Sequence, residues 1–288
     1  MLIQRVGYMD TASSFLPEGS WRTLLFAAVL GGMILWECLA PRRRLAQRRI
    51  TRWSAHLALA AINAVVVRLA FPAACVGVAL FAEQQELGLL RHTALPYAAT
   101  VVLAFVLLDL AMYFQHLLFH AVPLLWRLHL VHHADPEFDV TTGIRFHPLE
   151  MLVSACIKAL AIVSIGAPVL AVVWFEIVLT LMSLFTHANI RLPERLDRAL
   201  RWLVVTPDMH RIHHSISAAE SNSNFGFNLT WWDRLLGTYC RAARSPQSEM
   251  VFGVAQFRES RLNTPLSGLL RLPFVDGAPQ RQETASRV

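Results

Sequence analysis

Eight of the twelve histidines in this chain fall into three short motifs. One motif has the spacing HxxxH, and the other two have the spacing HxxHH. In chain order, their histidines are His116 and His120; His129, His132 and His133; and His210, His213 and His214. Residues three or four positions apart lie on one face of an α-helix, so the motifs predict imidazole rings grouped on helix faces. Because much of the surrounding sequence is apolar, these rings need partners for their nitrogens, and metal ions are the partners we expect.

Two further histidines are candidate metal ligands. His187 follows an apolar segment and is expected to supply a ninth imidazole, whereas His147 is a candidate ligand, a hydrogen-bond partner of a ligand or a structural residue. A zinc ion uses about four ligands, so this number of imidazoles indicates two metal ions with open positions. Imidazole binds iron, zinc, copper and nickel, so the ligand type alone does not name the metal. His56 and His92 are interpreted as structural or surface residues.

The composition indicates a membrane protein. Hydrophobic residues make up 55% of the chain and charged residues only 16%, against about 25% charged residues in soluble proteins. The net charge is +6, and 25 of the 26 basic residues are arginines, Lys158 being the exception. In a membrane protein such an excess marks the cytoplasmic face rather than a nucleic-acid site. The four cysteines form no CxxC pair, which argues against a disulfide framework or a thiolate metal site.

The apolar segments predict an all-α integral membrane bundle of about four to five spans. They cover residues 24–40, about 57–81, about 97–119 and about 149–186, the last being a helical hairpin broken at 165–168. The basic block at 41–52 is expected to remain in the cytoplasm. The N-terminus is therefore predicted to lie outside. The histidine motifs and the C-terminus are predicted to lie at the cytoplasmic surface, where the histidines form a metal-binding cap.

We predict three regions along the chain. Residues 1–95 form an N-terminal transmembrane region with two spans and an outside loop, and residues 96–241 form the catalytic region with the third span, the histidine motifs and the hairpin. Residues 242–288 form a cytoplasmic or interfacial tail. Within the tail, residues 264–274 have an apolar face and are expected to form a short helix lying on the membrane.

These motifs resemble the fatty acid hydroxylase/sterol desaturase superfamily of integral membrane oxygenases. The resemblance covers about residues 100–241 and is carried by the segments DLAMYFQHLLFHAVPLLWRLHLVHH, TTGIRFHPLE, FTHANI, DMHRIHH and NFGFNLTWWDRLLGTY. It implies a non-haem di-iron centre that uses O₂ and two electrons to hydroxylate or desaturate a lipid C–H bond. The iron ligands it implies are His116, His120, His129, His132, His133, His187, His210, His213 and His214. One departure is Leu117, which follows His116 where the family often has arginine.

Several polar residues are candidates to orient the ligands. Asp109 lies seven residues before His116, about two helical turns earlier on the same face. Metal-bound histidines usually donate their second N–H to a carboxylate or carbonyl, so Asp109 is expected to accept such a bond, with an ion pair to Arg68 as the alternative. Further candidates for this role are Glu150, Asn189, Asp208 and Asp233. No side chain is expected to act as a covalent nucleophile, and the sequence does not predict the substrate-binding residues.

Two other features of the sequence lead to expectations about packing. Arg68 and Glu176 lie near the middle of predicted spans, where buried charges are usually paired, so we expect them to pair with each other or Arg68 to pair with Asp109. The adjacent Trp231 and Trp232 are interpreted as core residues or interfacial anchors, with a lid over the metals as the alternative.

The predicted substrate is a membrane lipid. Sterols or hopanoids, fatty acyl chains, ether lipids and carotenoids are all candidates, and the motifs do not distinguish hydroxylation from desaturation. The chain contains no GxGxxG unit for a flavin or nicotinamide, so a separate electron-transfer protein is expected, ferredoxin or cytochrome b5-like with a reductase. The expected location is a bacterial inner membrane. The alternative is a membrane metal-binding protein or transporter with a histidine-rich cytoplasmic site.

Overall fold

The computed structural model describes residues 20–275, which are α-helical and contain no β-strand. The α-helices are α1 (Ser20–Leu39), α2 (Arg49–Ala70), α3 (Ala74–Gln84), α4 (Tyr97–Ala121), α5 (Pro123–His133), α6 (Pro148–Ile165), α7 (Val169–Thr186), α8 (Glu194–Leu200), α9 (Pro207–His213), α10 (Ala218–Ser221), α11 (Trp231–Leu235) and α12 (Leu266–Arg271). Short 3₁₀ helices cover Leu89–His92, Val140–Ile144, Arg261–Asn263 and Leu272–Phe274. The predicted all-α class is therefore confirmed.

Five stretches of the described residues are long and apolar enough to cross a membrane, which confirms the predicted four to five spans. They are Trp21–Leu39, Arg49–His92, Tyr97–Ala121, Pro148–Ile165 and Val169–Thr186. The chain is thus an integral membrane protein. The N-terminus was predicted to lie on the outer side of the membrane. This prediction concerns residues 1–19, which are not among the described residues.

The second predicted span, 57–81, is formed by two helices rather than one. Helix α2 begins at Arg49 and ends at Ala70, and α3 begins at Ala74. Pro72 separates them, because proline lacks the backbone N–H that a helix needs and its ring clashes with the preceding turn. The helix also begins eight residues earlier than expected. The end of the basic block is therefore helical, and its Arg52 is buried.

The predicted hairpin and its break are present as α6 and α7. Gly166 ends α6 in the left-handed conformation, with φ +71°. Gly88 packs against it, and a Cβ at Gly88 would lie 2.1 Å from the Gly166 nitrogen. Helix α6 packs against α2, α3 and α4, and α7 packs against α1, α3 and α4. Each helix of the hairpin therefore packs against at least three other helices, and both open ends of the hairpin lie on the side of the histidine motifs.

The C-terminal segment packs on the protein rather than lying free on a membrane as expected. Leu269 of α12 and the following Leu272 are buried in a cluster with Leu59 of α2 and with Trp126 and Leu130 of α5. The apolar face that was interpreted as membrane-binding is therefore covered by α2 and α5. This contact supports the helix that carries one of the HxxHH motifs.

The expected pairing of the charged residues in the spans is wrong. Glu176 accepts a bond of 2.6 Å from Lys158 on α6. Arg68 is exposed and donates to the Pro72 carbonyl at 3.3 Å. Asp109 contacts neither of them. The pairing of Lys158 with Glu176 was not predicted, because the two residues lie on different helices and become neighbours only in the folded chain.

At the histidine end of the bundle, a buried ion network joins α2 to the segment after α5. Arg52 bonds to Asp135 through Nε (3.0 Å) and Nη2 (2.6 Å), and its Nη1 bonds to Asp139 at 2.7 Å. Arg145 lies 3.6 Å from Asp135 and donates to His56 at 3.0 Å. Burial alone would raise the pKa of Asp135, but Arg52 and Arg145 more than offset it, so this pKa lies below its usual range. Both carboxylates are therefore charged and compensated.

We predict that Asp139→Asn destabilises the protein by about 3 kcal/mol, because removing one partner leaves a buried charge uncompensated. The free energy of unfolding in detergent would measure the effect. The matched control is Glu83→Gln, which neutralises the half-exposed partner of Arg91 and should cost less than about 1 kcal/mol. Equal effects of the two variants would show that the network contributes little.

Candidate metal centre

Nine buried histidines converge at one end of the bundle in two adjacent groups. The first group contains five, His116, His120, His129, His133 and His213, and the second contains four, His132, His187, His210 and His214. Within each group, the candidate ligand nitrogens all lie within 4.8 Å of one another. The rings of His133 and His214, which belong to different groups, stack with their centroids 4.5 Å apart. The structure therefore brings together the eight histidines of the three motifs and His187.

The helical spacing explains how each HxxHH motif is divided between the groups. His129 and His133 are four apart on α5 and join the five-histidine group, whereas His132 joins the other group. In the second HxxHH motif, His210 and His214 belong to the four-histidine group and His213 to the five-histidine group. Helices α5 and α9 therefore contribute to both groups, which ties the two groups into one rigid unit.

Hydrogen bonds to one ring nitrogen leave the other nitrogen directed into the site. The Nδ1 atoms of His116, His213 and His187 donate to the carbonyls of Phe225, Ser223 and Ser183 at 2.8, 2.7 and 2.8 Å. His129 Nδ1 bonds to the Glu150 carboxylate at 2.6 Å. Since these acceptors hold the proton on Nδ1, each Nε2 presents a lone pair, the arrangement found in metal-bound histidines.

The facing nitrogens lack other partners. Among the buried atoms without a hydrogen bond are Nε2 of His116, His129, His133, His213 and His214. His187 Nε2 lies 3.2 Å from His132 Nε2 and 3.0 Å from His210 Nε2. Because His187 carries its proton on Nδ1, its Nε2 presents only a lone pair to these two neighbouring rings. Buried polar atoms without partners are rare in native proteins, so this donor set fits metal ions.

Burial keeps the ligands uncharged. Burial lowers the pKa of His187 to about 4 and that of His213 to about 3. Neighbouring imidazoles lower the pKa of His132 and His214 further, after the larger effect of burial. A neutral imidazole is the form that binds a metal, so no proton has to be removed from these rings at neutral pH.

Aromatic rings enclose the histidines and exclude water. Phe146 stacks on His132 with centroids 4.5 Å apart, and Phe138 lies 5.6 Å from His187 and 5.1 Å from His214. Trp126 lies 5.0 Å from His120. The sequence analysis did not single out these aromatic residues, because apolar residues are common throughout the chain and their spacing has no special pattern.

Gly143 is a residue that the sequence analysis missed and that the four-histidine group requires. A Cβ at this position would lie 2.7 Å from the Ser183 carbonyl oxygen and 3.1 Å from His187 Nδ1. Ser183 Oγ also donates to the Gly143 carbonyl at 2.9 Å. The absence of a side chain at Gly143 therefore permits the hydrogen bond that orients His187.

Glu150 and Asp109, which were both predicted to orient ligand histidines, have different hydrogen-bond partners. Glu150 accepts directly from His129, as expected. Asp109 does not contact a histidine, which corrects its expected role; its Oδ2 accepts from the Leu229 N–H at 3.2 Å and from Trp232 Nε1 at 2.8 Å. Asp109 therefore fixes the segment whose Phe225 carbonyl holds His116.

The remaining candidates also lie outside the two groups. Asp233 accepts from the N–H groups of Phe225 and Gly226, at 2.8 and 2.9 Å. Asn189 bonds to the backbone of Arg43, and Asp208 forms ion pairs with Arg42 and Arg211. His147 accepts from the Leu149 N–H at the start of α6 and contacts the Leu270 carbonyl at 3.3 Å. These residues position the segments that carry ligands.

The two histidines interpreted as structural or surface residues lie outside the groups. His56 is buried between Thr141 and Arg145, in the ion network that supports the segment after α5. His92 is exposed in the 3₁₀ helix after α3.

Comparison with known proteins finds similarity to one family and to several relatives. The fatty acid hydroxylase model matches residues 101–238. An ornithine lipid hydroxylase from Rhizobium tropici is 29% identical over 271 residues, covering 90% of this chain and 80% of the relative. An alkylglycerol monooxygenase from Xenopus tropicalis is 29% identical over 52% of this chain and 31% of its own length, and human cholesterol 25-hydroxylase is 26% identical over 54% of each chain. No solved structure matches the chain significantly.

These matches agree with the histidine geometry and with the resemblance seen in the motifs. The predicted resemblance to the fatty acid hydroxylase/sterol desaturase superfamily is therefore confirmed over the region that carries the nine histidines. The relatives named here are hydroxylases and a monooxygenase, which supports an oxidoreductase activity for this membrane protein.

We predict that Gly143→Ala lowers metal occupancy in the four-histidine group. The new methyl group would displace the Ser183 carbonyl and rotate His187 away from its neighbours. Metal content per chain, measured by mass spectrometry, should fall while the protein stays folded. Gly32→Ala is the control, because a Cβ at Gly32 meets nothing within 4 Å. Full occupancy in Gly143→Ala would contradict this account of how His187 is held.

Proposed function

We propose that the protein is a lipid hydroxylase with a di-iron centre. The observation that carries this proposal is the division of nine buried imidazoles into groups of five and four. On six-coordinate ions these numbers leave open positions, as oxygen-activating non-haem iron sites require. The five-histidine group exceeds the four ligands of a closed structural zinc site.

The bound irons would supply the redox chemistry of O₂ activation, and the chain's own residues prepare the site. Glu150 and the carbonyls of Ser183, Ser223 and Phe225 fix the imidazole orientations and tautomers. The aromatic rings around the histidines keep water out, which strengthens electrostatic interactions and limits side reactions. No side chain needs to form a covalent bond with the substrate.

The distribution of arginines supports a cytoplasmic metal centre in a bacterial inner membrane. The basic segment after α1 lies on the metal side, because Arg42 pairs with Asp208 and Arg52 with Asp135. Positive loops remain in the cytoplasm. In this orientation the end of the protein that carries the histidines faces the cytoplasm, where soluble electron carriers can reach it.

The proposed substrate class is a membrane lipid with a polar headgroup, and ornithine lipid is the first candidate. The relative that matches most of this chain is an ornithine lipid hydroxylase. Sterols and ether lipids remain candidates through the shorter matches. In a hydroxylation, one oxygen atom of O₂ enters the C–H bond and the other leaves as water, which consumes two electrons and two protons.

The electrons are proposed to come from a separate protein of the ferredoxin or cytochrome b5 type, with its reductase. The described cap surface is rich in exposed arginines, among them Arg44, Arg48 and Arg244. A basic surface of this kind increases the association rate of an acidic carrier.

Turnover can be tested with the purified protein in lipid nanodiscs supplied with iron, isotope-labelled O₂ and a reducing system. We predict that one lipid among ornithine lipid, an alkylglycerol lipid and a sterol gains one labelled oxygen atom, as read by mass spectrometry. Loss of two hydrogens without oxygen gain would indicate desaturation instead. Iron binding with no change in any lipid, together with metal flux in liposomes, would favour a metal-transport function.

Replacing one histidine from each group tests the two-ion assignment. We predict that His213→Ala and His210→Ala each lose one of two bound ions, because each variant removes a ligand from a different group. The control is His92→Ala, which changes an exposed histidine outside both groups. Unchanged iron content in both site variants would contradict the proposal.

A further inference from the structure

An exposed apolar surface lies outside the five apolar stretches of the described chain. It is formed by Trp202, Leu203, Trp231, Leu235 and Leu236, called here the apolar rim. Trp202 is 70% exposed and Leu235 is 74% exposed. Large exposed apolar surfaces mark sites of contact with membranes or other proteins.

The rim joins two segments that are distant in sequence. Trp231 Nε1 donates to the Trp202 carbonyl at 3.2 Å, and the Thr230 N–H donates to the Leu203 carbonyl at 3.3 Å. The Arg234 guanidinium lies 4.5 Å from the centroid of the Trp202 ring. The end of α8 and the start of α11 are therefore held together as one surface.

Hydrogen bonds to α4 show how deep this surface lies. Trp232 donates to Asp109 at 2.8 Å, and Tyr113 bonds to Thr238 at 2.9 Å. Asp109 precedes His116 by seven residues on α4, which is about 10 Å along the helix. Helix α4 is one of the apolar stretches, so residues 225–238 lie along a membrane-spanning helix, on the bilayer side of the metal centre.

Several backbone N–H groups of this segment have buried carboxylate partners, as membrane depth requires. Non-helical backbone is tolerated there only when its polar groups have protein partners. Asp233 accepts the N–H groups of Phe225 and Gly226, and Asp109 accepts that of Leu229. This requirement explains why two carboxylates are buried beside the metal centre without contacting its histidines.

We propose that the apolar rim is inserted into the bilayer leaflet on the metal side, so that residues 225–238 form the wall between the lipids and the metal centre. Tryptophan, leucine and arginine are the residues that anchor proteins at this depth. The rim is continuous with a spanning helix through Asp109 and Trp232, which favours the lipid bilayer over a protein partner. The same wall holds His116 through the Phe225 carbonyl.

Site-directed spin labelling in nanodiscs tests the insertion. The four native cysteines, all free, are replaced by alanine, and Leu235→Cys is introduced and labelled. Ser248→Cys, on an exposed position of the cap, is the matched control. The label at 235 should collide readily with O₂, which concentrates in lipid. It should collide with a water-soluble nickel chelate several-fold less often than the label at 248 does.

A label at 235 that collides with the nickel chelate as readily as the label at 248 would overturn the proposal and indicate a water-exposed docking surface for a protein. Metal content equal to that of the unlabelled protein confirms that each labelled variant is folded. If Leu235→Cys fails this check, Leu236→Cys provides the same readout from the neighbouring exposed position.

Discussion

The structure depends on one constraint, which is that nine neutral imidazoles are buried with their free nitrogens facing one another. Spacings of three and four residues place the motif histidines along α4, along α5 and along α9 with its cap residue. His187 follows α7 directly. Such an arrangement is unfavourable without cations, because lone pairs are left without donors in a site that excludes water. Bound metal ions would remove this cost, which would link metal binding energetically to folding.

The supporting structure fixes the helices that carry the ligands. Arg52 and its two carboxylates join α2 to the segment after α5, and Glu37 of α1 accepts the N–H groups of Val140 and Asn189. Asp109 and Asp233 accept backbone N–H groups of Leu229 and Phe225 and so hold the segment that follows α10. The buried charges at this end of the molecule therefore position backbone segments, and the backbone carbonyls then orient the imidazoles.

Periodicity and hydropathy were sufficient to predict the all-α bundle, its spans and the eight histidines of the motifs, and the family resemblance supported His187 as the ninth. The division of the nine into groups of five and four was not predictable, because it depends on how α5 and α9 face each other. The charge pairs Lys158–Glu176 and Arg52–Asp135 also join residues from different helices, and sequence spacing has no information on such contacts. Asp109 was singled out for its spacing from His116, but its partner is Trp232, which is distant in sequence.

The most direct test of the central claim is the Mössbauer spectrum of protein purified anaerobically in detergent after growth in enriched iron, with total metal content measured on the same sample. We expect two iron ions per chain, one for each histidine group, with spectra that show magnetic coupling between them. A single uncoupled iron, or tightly bound zinc in protein grown with ample iron, would contradict the di-iron centre.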